Sequence, residues 1–159
     1  MTLDGTHLYR RNLPHVQKNA RTYFVTFCTR RDRLLSPEAR SIVLKYCRGR
    51  HERTYFLHCA VVMPDHAHLI ITPFPDGKGD CLPLNRIMKG IKGGSAREIN
   101  RLSGTRGAIW QAESFDHLLR NCESIEEKVE YVCRNPVRKG LAAQPEEYPW
   151  LWRYSTQNV

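Results

Sequence analysis

Residues 55–72 read YFLHCAVVMPDHAHLIIT, and this stretch decides the fold. Tyr55–Met63 is rich in aromatic and β-branched residues, which favours a strand, and His66–Thr72 favours a second strand. Pro64 and Asp65 between them are typical turn residues, so the stretch predicts a β-hairpin. Because the hairpin is nearly all apolar, we expect both strands to lie inside a packed domain.

The segments on either side of the hairpin complete an alternation of strands and helices. Gly93 and Gly94 weaken the longest helix and allow a kink, and Ser124 with Glu127 has the spacing of a capping box. The order β-α-β-β-α-β-α predicts an α+β fold of ferredoxin-like type, an antiparallel sheet with helices packed on it. The elements are a strand at Tyr23–Thr29, a helix from Ser36-Pro37 to near Gly49–Arg53, the hairpin, a helix at Leu84–Leu102, a short strand within Ala108–Leu119 and a helix at Ser124–Asn135.

The length of 159 residues predicts one domain. We divide the chain into a basic N-terminal arm at 1–22, a domain at 23–152 and a C-terminal tail at 153–159. The sequence has no apolar run of the roughly 18 residues that a membrane span needs, and it has no apolar signal-peptide core. Six cysteines without a CxxC pair indicate reduced thiols. We therefore expect a cytoplasmic protein with no membrane partner.

The charge balance points to a polyanionic partner. Lysine and arginine number 25 against 16 aspartate and glutamate, a net charge of +9, and the pI is about 9.5. A field of this sign attracts nucleic acid or an anionic membrane. Because no basic amphipathic helix suited to a membrane surface stands out, nucleic acid is the expected partner.

The histidines of His66-Ala67-His68 lie two residues apart on a predicted strand. Residues at this spacing point to the same face, so two imidazoles would lie side by side. Such a pair among apolar neighbours needs hydrogen bonds or a metal ion to satisfy its ring nitrogens. The motif alone leaves both interpretations open: two structural histidines, or two ligands of one divalent metal.

The helix at Ser124–Asn135 carries a tyrosine away from its apolar stripe. At about 100° per residue, Ile125, Val129, Val132 and Cys133 form the stripe, whereas Tyr131 and Asn135 share a different face one turn apart. Asn135 is also the residue before Pro136, where helices commonly stop. A tyrosine is a covalent nucleophile in some enzymes, and a metal ion would polarise a phosphate for its attack. Together with the basic surface, this set suggests cleavage of a nucleic-acid phosphodiester.

At this point the chain resembles a known family, the HUH single-stranded-DNA transposases of the IS200 type, and in particular the REP-associated tyrosine transposases. The resemblance spans roughly residues 9–152, and it is specific because many stretches share it. These stretches are YRRNLPHVQ, TYFVTF, VVMPDHAHLIITP, LNRIMKGIKG, INRLSG, IWQAESFDHLLRN and YVCRNPVRKGL.

The resemblance implies a role for individual residues. His66 and His68 correspond to the metal-binding pair, Asn135 to a third metal ligand, and Tyr131 to the catalytic tyrosine. The implied activity is cleavage and rejoining of single-stranded DNA near hairpin repeats through a 5′-phosphotyrosine, with Mg²⁺ or Mn²⁺ as cofactor. Ala67 departs from the pattern, which commonly has a larger aliphatic residue there.

Several basic residues are candidate DNA contacts. Arg10 and Arg11 belong to the N-terminal arm, Lys89 and Lys92 to the long helix, and Arg138 and Lys139 follow the tyrosine. The segment with Trp110, Phe115, Asp116, His117 and Arg120 is expected to serve strand packing and ion pairing.

Two alternative functions stay open from the sequence. One is a non-catalytic protein that binds nucleic-acid hairpins on the same fold. The other is a zinc hydrolase that uses His66, His68 and a cysteine, although no acidic residue stands at ligand spacing to either histidine and no HExxH motif is present. By the resemblance we expect a monomer rather than a homodimer, with hairpin single-stranded DNA of REP-like repeats as partner.

Overall fold

The structure is a computed structural model that describes residues 21–31, 33–75, 78, 80–120 and 122–156, with only the helical backbone at 122–124. Most of the predicted N-terminal arm, with Arg10 and Arg11, therefore lies outside the described residues. The division into arm, domain and tail stays a prediction.

The hairpin forms the middle of a five-stranded antiparallel sheet. The order across the sheet is β4-β1-β3-β2-β5, so β3 is central and β4 and β5 are its edges. This arrangement confirms the predicted α+β class. The strands are β1 (Thr22–Cys28), β2 (Tyr55–Val62), β3 (His66–Pro73), β4 (Phe115–Leu119) and β5 (Leu151–Arg153).

Helices cover both faces of the sheet. The helices are α1 (Pro37–Arg48), α2 (Leu84–Ser103), α3 (Cys122–Cys133) and the single turn α4 (Asn135–Arg138), and a 3-10 turn follows at Pro145–Glu147. α1 begins as predicted, since the Ser36 hydroxyl accepts a hydrogen bond from the Ala39 amide and Pro37 takes a position where no donor is lost. α2 continues through both glycines without a break.

The larger core lies between the sheet and the α1–α2 pair. Alternate residues of β3, Ala67, Leu69 and Ile71, are fully buried there against α1 and α2. The smaller core lies on the other face, where Ile70 packs under Val132 and the rest of the α3 stripe. The alternation of β3 therefore sends His66 and His68 to the α3 face of the sheet.

Two predictions about the last helix are wrong. The helix begins at Cys122, so Ser124 lies inside its first turn and cannot be the N-cap of a capping box. The helix also ends at Cys133 rather than at the predicted Asn135, and the separate turn α4 begins at Asn135 with Pro136 in its first turn, a position that tolerates proline. β5 at Leu151–Arg153 was not expected, and it pairs with β2.

Candidate active site

The two histidines lie side by side at the start of β3. Their ring centroids are 4.7 Å apart and the ring planes are nearly perpendicular. Ala67 between them is fully buried in the larger core, so the small residue fills its place beneath the sheet without breaking the strand. The structure thus brings the predicted pair together on one face.

Each imidazole is oriented through its Nδ1 atom. The Thr26 hydroxyl on β1, directly across from His68, lies 2.8 Å from His68 Nδ1. Asp65 Oδ1, in the hairpin turn, lies 2.6 Å from His66 Nδ1. Partners of this kind hold the orientation of each ring, and the nitrogen that each ring presents outward is Nε2.

Asn135 reaches the same place from the helical layer. Its side chain is buried, and its amide nitrogen lies 3.5 Å from His66 Nε2. The break between α3 and α4 places Asn135 at the first position of the new turn. The oxygen and nitrogen of an asparagine amide are assigned by their surroundings, and a flip would place the oxygen, a metal ligand, toward His66.

Tyr131 projects from α3 into solvent and is 56% exposed. The prediction that it lies off the core stripe is confirmed, since Val129, Val132 and Cys133 are buried. Two cations flank the ring: Arg138 Cζ lies 4.1 Å from its centroid and Lys128 Nζ lies 4.9 Å from it. The phenol therefore stands in a positive field at the surface.

Arg138 and Lys128, the two cations over the Tyr131 ring, also lie close enough to His68 to affect its pKa. Burial is the main cause that lowers the pKa of His68 to about 4, and the nearby charges of His66, Arg138 and Lys128 add to it. Lys128 also lies over the ring of Phe24, which stacks on His68. His68 is thus neutral at pH 7, the state in which an imidazole binds a metal.

Phe115 lies next to this cluster with an exposed aromatic ring. It pairs across the sheet with Thr26 and so points to the face of His68, yet it is 71% exposed. The expectation that the segment serves strand packing is met by Trp110, which is buried and donates to Ser95, and it is wrong for Phe115. Asp116, one residue on, points to the opposite face of the sheet.

The predicted basic contacts are distributed over both faces. Arg138 lies at the tyrosine, and Lys139 follows it, exposed, at the end of α4. Lys89 and Lys92 belong to α2, on the opposite face. The Lys92 ammonium already donates to Gln111 O, Ala112 O and the Ser114 hydroxyl, so it holds the segment before β4.

Sequence reasoning missed Thr26, Asp65 and Lys128. The signal for Asp65 was its position directly before His66 in a turn. Thr26 carried no local signal, because its role depends on which residue of β1 pairs with His68. Lys128 lies three residues before Tyr131, and that helical spacing puts the two on one surface.

Comparison with known proteins adds to this geometry. The REP-associated tyrosine transposase of Escherichia coli K12 is 26% identical over 128 residues, which cover 80% of this chain and 72% of that protein. A structure of a REP-associated tyrosine transposase bound to a REP hairpin has a TM-score of 0.60 at 26% identity, covering 82% of this chain and 75% of the other. The chain is thus similar to REP-associated tyrosine transposases in both sequence and fold.

A second structure shares the transposase fold. It comes from Deinococcus radiodurans R1, carries a provisional transposase assignment, and has a TM-score of 0.50 at 19% identity over 72% of this chain and 92% of the other. No family model matches the chain. Within the described residues, no helix is long and apolar enough to cross a membrane.

Proposed function

We propose that the protein is a metal-dependent transposase that cleaves and rejoins single-stranded DNA next to hairpin repeats, with Tyr131 as the nucleophile. The observation that carries the proposal is the convergence of His66, His68 and Asn135 beside an exposed tyrosine that two cations flank. The type of activity is inferred from the similarity to REP-associated tyrosine transposases. The position of these residues suggests that it takes place on the α3 face of the sheet.

Tyr131 would act by direct attack on phosphorus. Its Oη forms a bond to the phosphorus atom while the bond from phosphorus to the 3′ oxygen breaks. The phenol loses its proton and the departing oxygen gains one, which leaves a 5′-phosphotyrosine and a free 3′-hydroxyl. Attack by a 3′-hydroxyl on the same phosphorus reverses the step and rejoins a strand.

Arg138 and Lys128 would assist this step through their charge. Both lie over the Tyr131 ring, and both are close enough to His68 to depress its pKa. A phosphate placed between the tyrosine and the histidines would therefore meet two positive groups. Such fixed charges stabilise the negative charge that a pentavalent phosphate carries in the transition state.

The three proposed ligands fit a divalent cation. The two imidazoles present Nε2 atoms, the Nδ1 atoms of His68 and His66 are held by Thr26 and Asp65 respectively, and Asn135 contributes an amide. A nitrogen and oxygen donor set of this kind suits Mn²⁺ as well as Mg²⁺. A cation held there would polarise a phosphate oxygen and neutralise charge.

Phe115 supports an unpaired strand as the substrate. Its exposed ring lies across β1 from His68, at the edge of the sheet. An exposed aromatic face is a stacking platform for a base that no partner strand covers. We infer that a nucleotide near the cleaved phosphate stacks on Phe115.

Single variants of the two histidines test this function. His66→Ala and His68→Ala should each remove Mn²⁺ binding, measured by calorimetry, and cleavage of a single-stranded oligonucleotide next to a hairpin. The circular dichroism spectrum should not change, because neither side chain belongs to the buried core. Cleavage that persists in both variants would contradict the metal assignment.

The alternatives are less well supported. Cys28 lies across from His66, the place where a cysteine could complete a zinc site. Burial and the charge of Asp65 raise the pKa of the Cys28 thiol, which disfavours the thiolate that zinc requires. Within the described residues, no three histidine, cysteine or acidic side chains are placed to hold a metal.

The second alternative is a protein that binds hairpins without cleaving them. Binding alone would not explain why an exposed tyrosine, Tyr131, lies on the same face as this histidine pair.

A further inference from the structure

A groove of about 690 Å³ opens between α1 and α2, on the face of the sheet away from the histidine pair. Tyr46 of α1 forms part of one wall, and residues of α2 between Arg86 and Arg97 form the other. The proposed catalytic step uses none of its residues.

Three arginines line this groove with their charges exposed. Arg50 follows α1, and Arg86 and Arg97 belong to α2. Within the described residues, none of the three has an acidic partner within ion-pairing distance, and no acidic residue lines the groove. The nearby carboxylate of Glu98 is already paired with Lys45.

Gly90 lines the groove at a position where a glycine weakens the helix. A Cβ atom at Gly90 would meet nothing within 4 Å, so packing gives no reason for a glycine there. Gly94 differs, because a Cβ at that position would clash with the Tyr46 ring. A glycine inside a helix costs about 1 kcal/mol of stability relative to alanine. At Gly90 this cost is not explained by any close neighbour that a larger side chain would strike.

The start of α2 adds to the positive field of the groove. α2 begins after Pro83, which offers no side-chain cap, and its first turn contains Arg86 and no acidic residue. The positive end of the helix dipole therefore lies beside the Arg86 cation. Their repulsion destabilises the start of α2 when no ligand is bound and favours binding of an anion there.

We propose that the groove between α1 and α2 binds the phosphate backbone of the DNA, at a site separate from the phosphate that is cleaved. Guanidinium groups form paired hydrogen bonds with phosphate oxygens, and these three guanidinium groups, which have no acidic partner among the described residues, line one open groove. The choice of DNA as the polyanion rests on the proposed function, whereas the binding of a polyanion rests on the groove itself.

A charge-matched pair of variants tests the groove. Arg86→Gln with Arg97→Gln removes two charges from it, and Arg101→Gln with Arg106→Gln removes two exposed charges of the same region outside it. The probe is a DNA hairpin with a single-stranded extension, titrated at several salt concentrations. The slope of log affinity against log salt should fall by about 2 for the groove pair, since each lost phosphate contact contributes about 0.9. An equal effect in both pairs, or none in the groove pair, overturns the proposal.

A second comparison separates groove binding from folding. Gly90→Ala and Gly90→Glu both improve helix propensity, and the open space around Gly90 accepts either side chain. Gly90→Glu should weaken hairpin binding at least tenfold, because it places a negative charge in the groove, while Gly90→Ala should bind within twofold of the unchanged protein. Equal affinities for these two variants contradict the proposal.

Cleavage separates this inference from the proposed function. The wild-type protein, incubated with Mn²⁺ and the same hairpin oligonucleotide, should cleave it, and this measurement does not depend on the groove variants. If the wild-type protein does not cleave the DNA but the salt slopes differ as expected, the proposed function is wrong and the proposed binding site in the groove is supported. If the wild-type protein cleaves the DNA and the slopes do not differ, the proposed binding site in the groove is wrong and the proposed function is supported.

Discussion

Thr26 is the residue whose hydroxyl fixes the His68 ring. Replacing it by valine keeps a β-branched side chain and removes the partner of His68 Nδ1. Loss of such an orienting partner typically costs 10–100-fold in metal affinity or activity, and we expect that range for Mn²⁺ affinity and DNA cleavage in Thr26→Val.

Thr22→Val is the matched control for this prediction. Thr22 lies on the same strand, and its buried hydroxyl lies 2.7 Å from that of Thr72, away from the histidines. Both variants should lower the free energy of unfolding by about 1 kcal/mol, the net value of one hydrogen bond. Only Thr26→Val should change metal affinity, and equal metal affinities would show that Thr26 does not position His68.

Phe115 gives a prediction about the substrate. Because the ring is mostly exposed, Phe115→Ala should change the free energy of unfolding by less than about 0.5 kcal/mol. Affinity for single-stranded DNA should fall by about 1–3 kcal/mol, the contribution of one stacked base. Fluorescence anisotropy with a labelled oligonucleotide measures it, and Phe115→Trp should retain binding. An alanine variant that binds normally would remove Phe115 from the interface.

At the scale of elements, the two glycines of α2 should respond in opposite ways to alanine. Gly90→Ala should raise the free energy of unfolding by about 1 kcal/mol through helix propensity. Gly94→Ala forces its Cβ against the Tyr46 ring, an overpacking that costs about 1–3 kcal/mol and cancels or exceeds the same gain. Urea denaturation measures both changes.

Tyr46→Ala provides the control for the second glycine. In that background the ring is gone, so Gly94→Ala should become stabilising, as Gly90→Ala is in the unchanged protein. If Gly94→Ala stabilises the protein while Tyr46 is still present, the contact between α1 and α2 is looser than the structure shows.

The elements also show where prediction from the sequence stops. The hairpin, α1 and α2 follow from periodicity and from turn and cap residues, which are local signals. The pairing register changes between Leu57 and Cys59, so Leu57 and Ala60 share the larger core while Cys59 and Val61 face α3. A prediction from strict alternation would assign half of the β2 side chains to the wrong face of the sheet. Such an irregularity depends on pairing with the neighbouring strand, so the sequence of β2 alone does not reveal it.

At the scale of the whole molecule, the candidate site joins residues far apart in the chain. His66, His68 and Tyr131 were predicted because each belongs to a short pattern, HxH or an off-stripe helical position. Their meeting, and the contributions of Thr26, Lys128 and Phe115, depend on strand order and on how α3 lies across the sheet. Three-residue β5 lacked any pattern long enough to predict a strand.

The central claim is that Tyr131 forms the covalent bond to DNA. Tyr131→Phe removes one oxygen from an exposed ring, so the free energy of unfolding should change by less than about 1 kcal/mol. The unchanged protein, incubated with Mn²⁺ and a labelled single-stranded oligonucleotide that carries the hairpin, should give a protein–DNA adduct on a denaturing gel. The Phe variant should give none. An adduct that persists in Tyr131→Phe, or that mass spectrometry maps to Tyr148, Tyr154 or another tyrosine, would contradict the account.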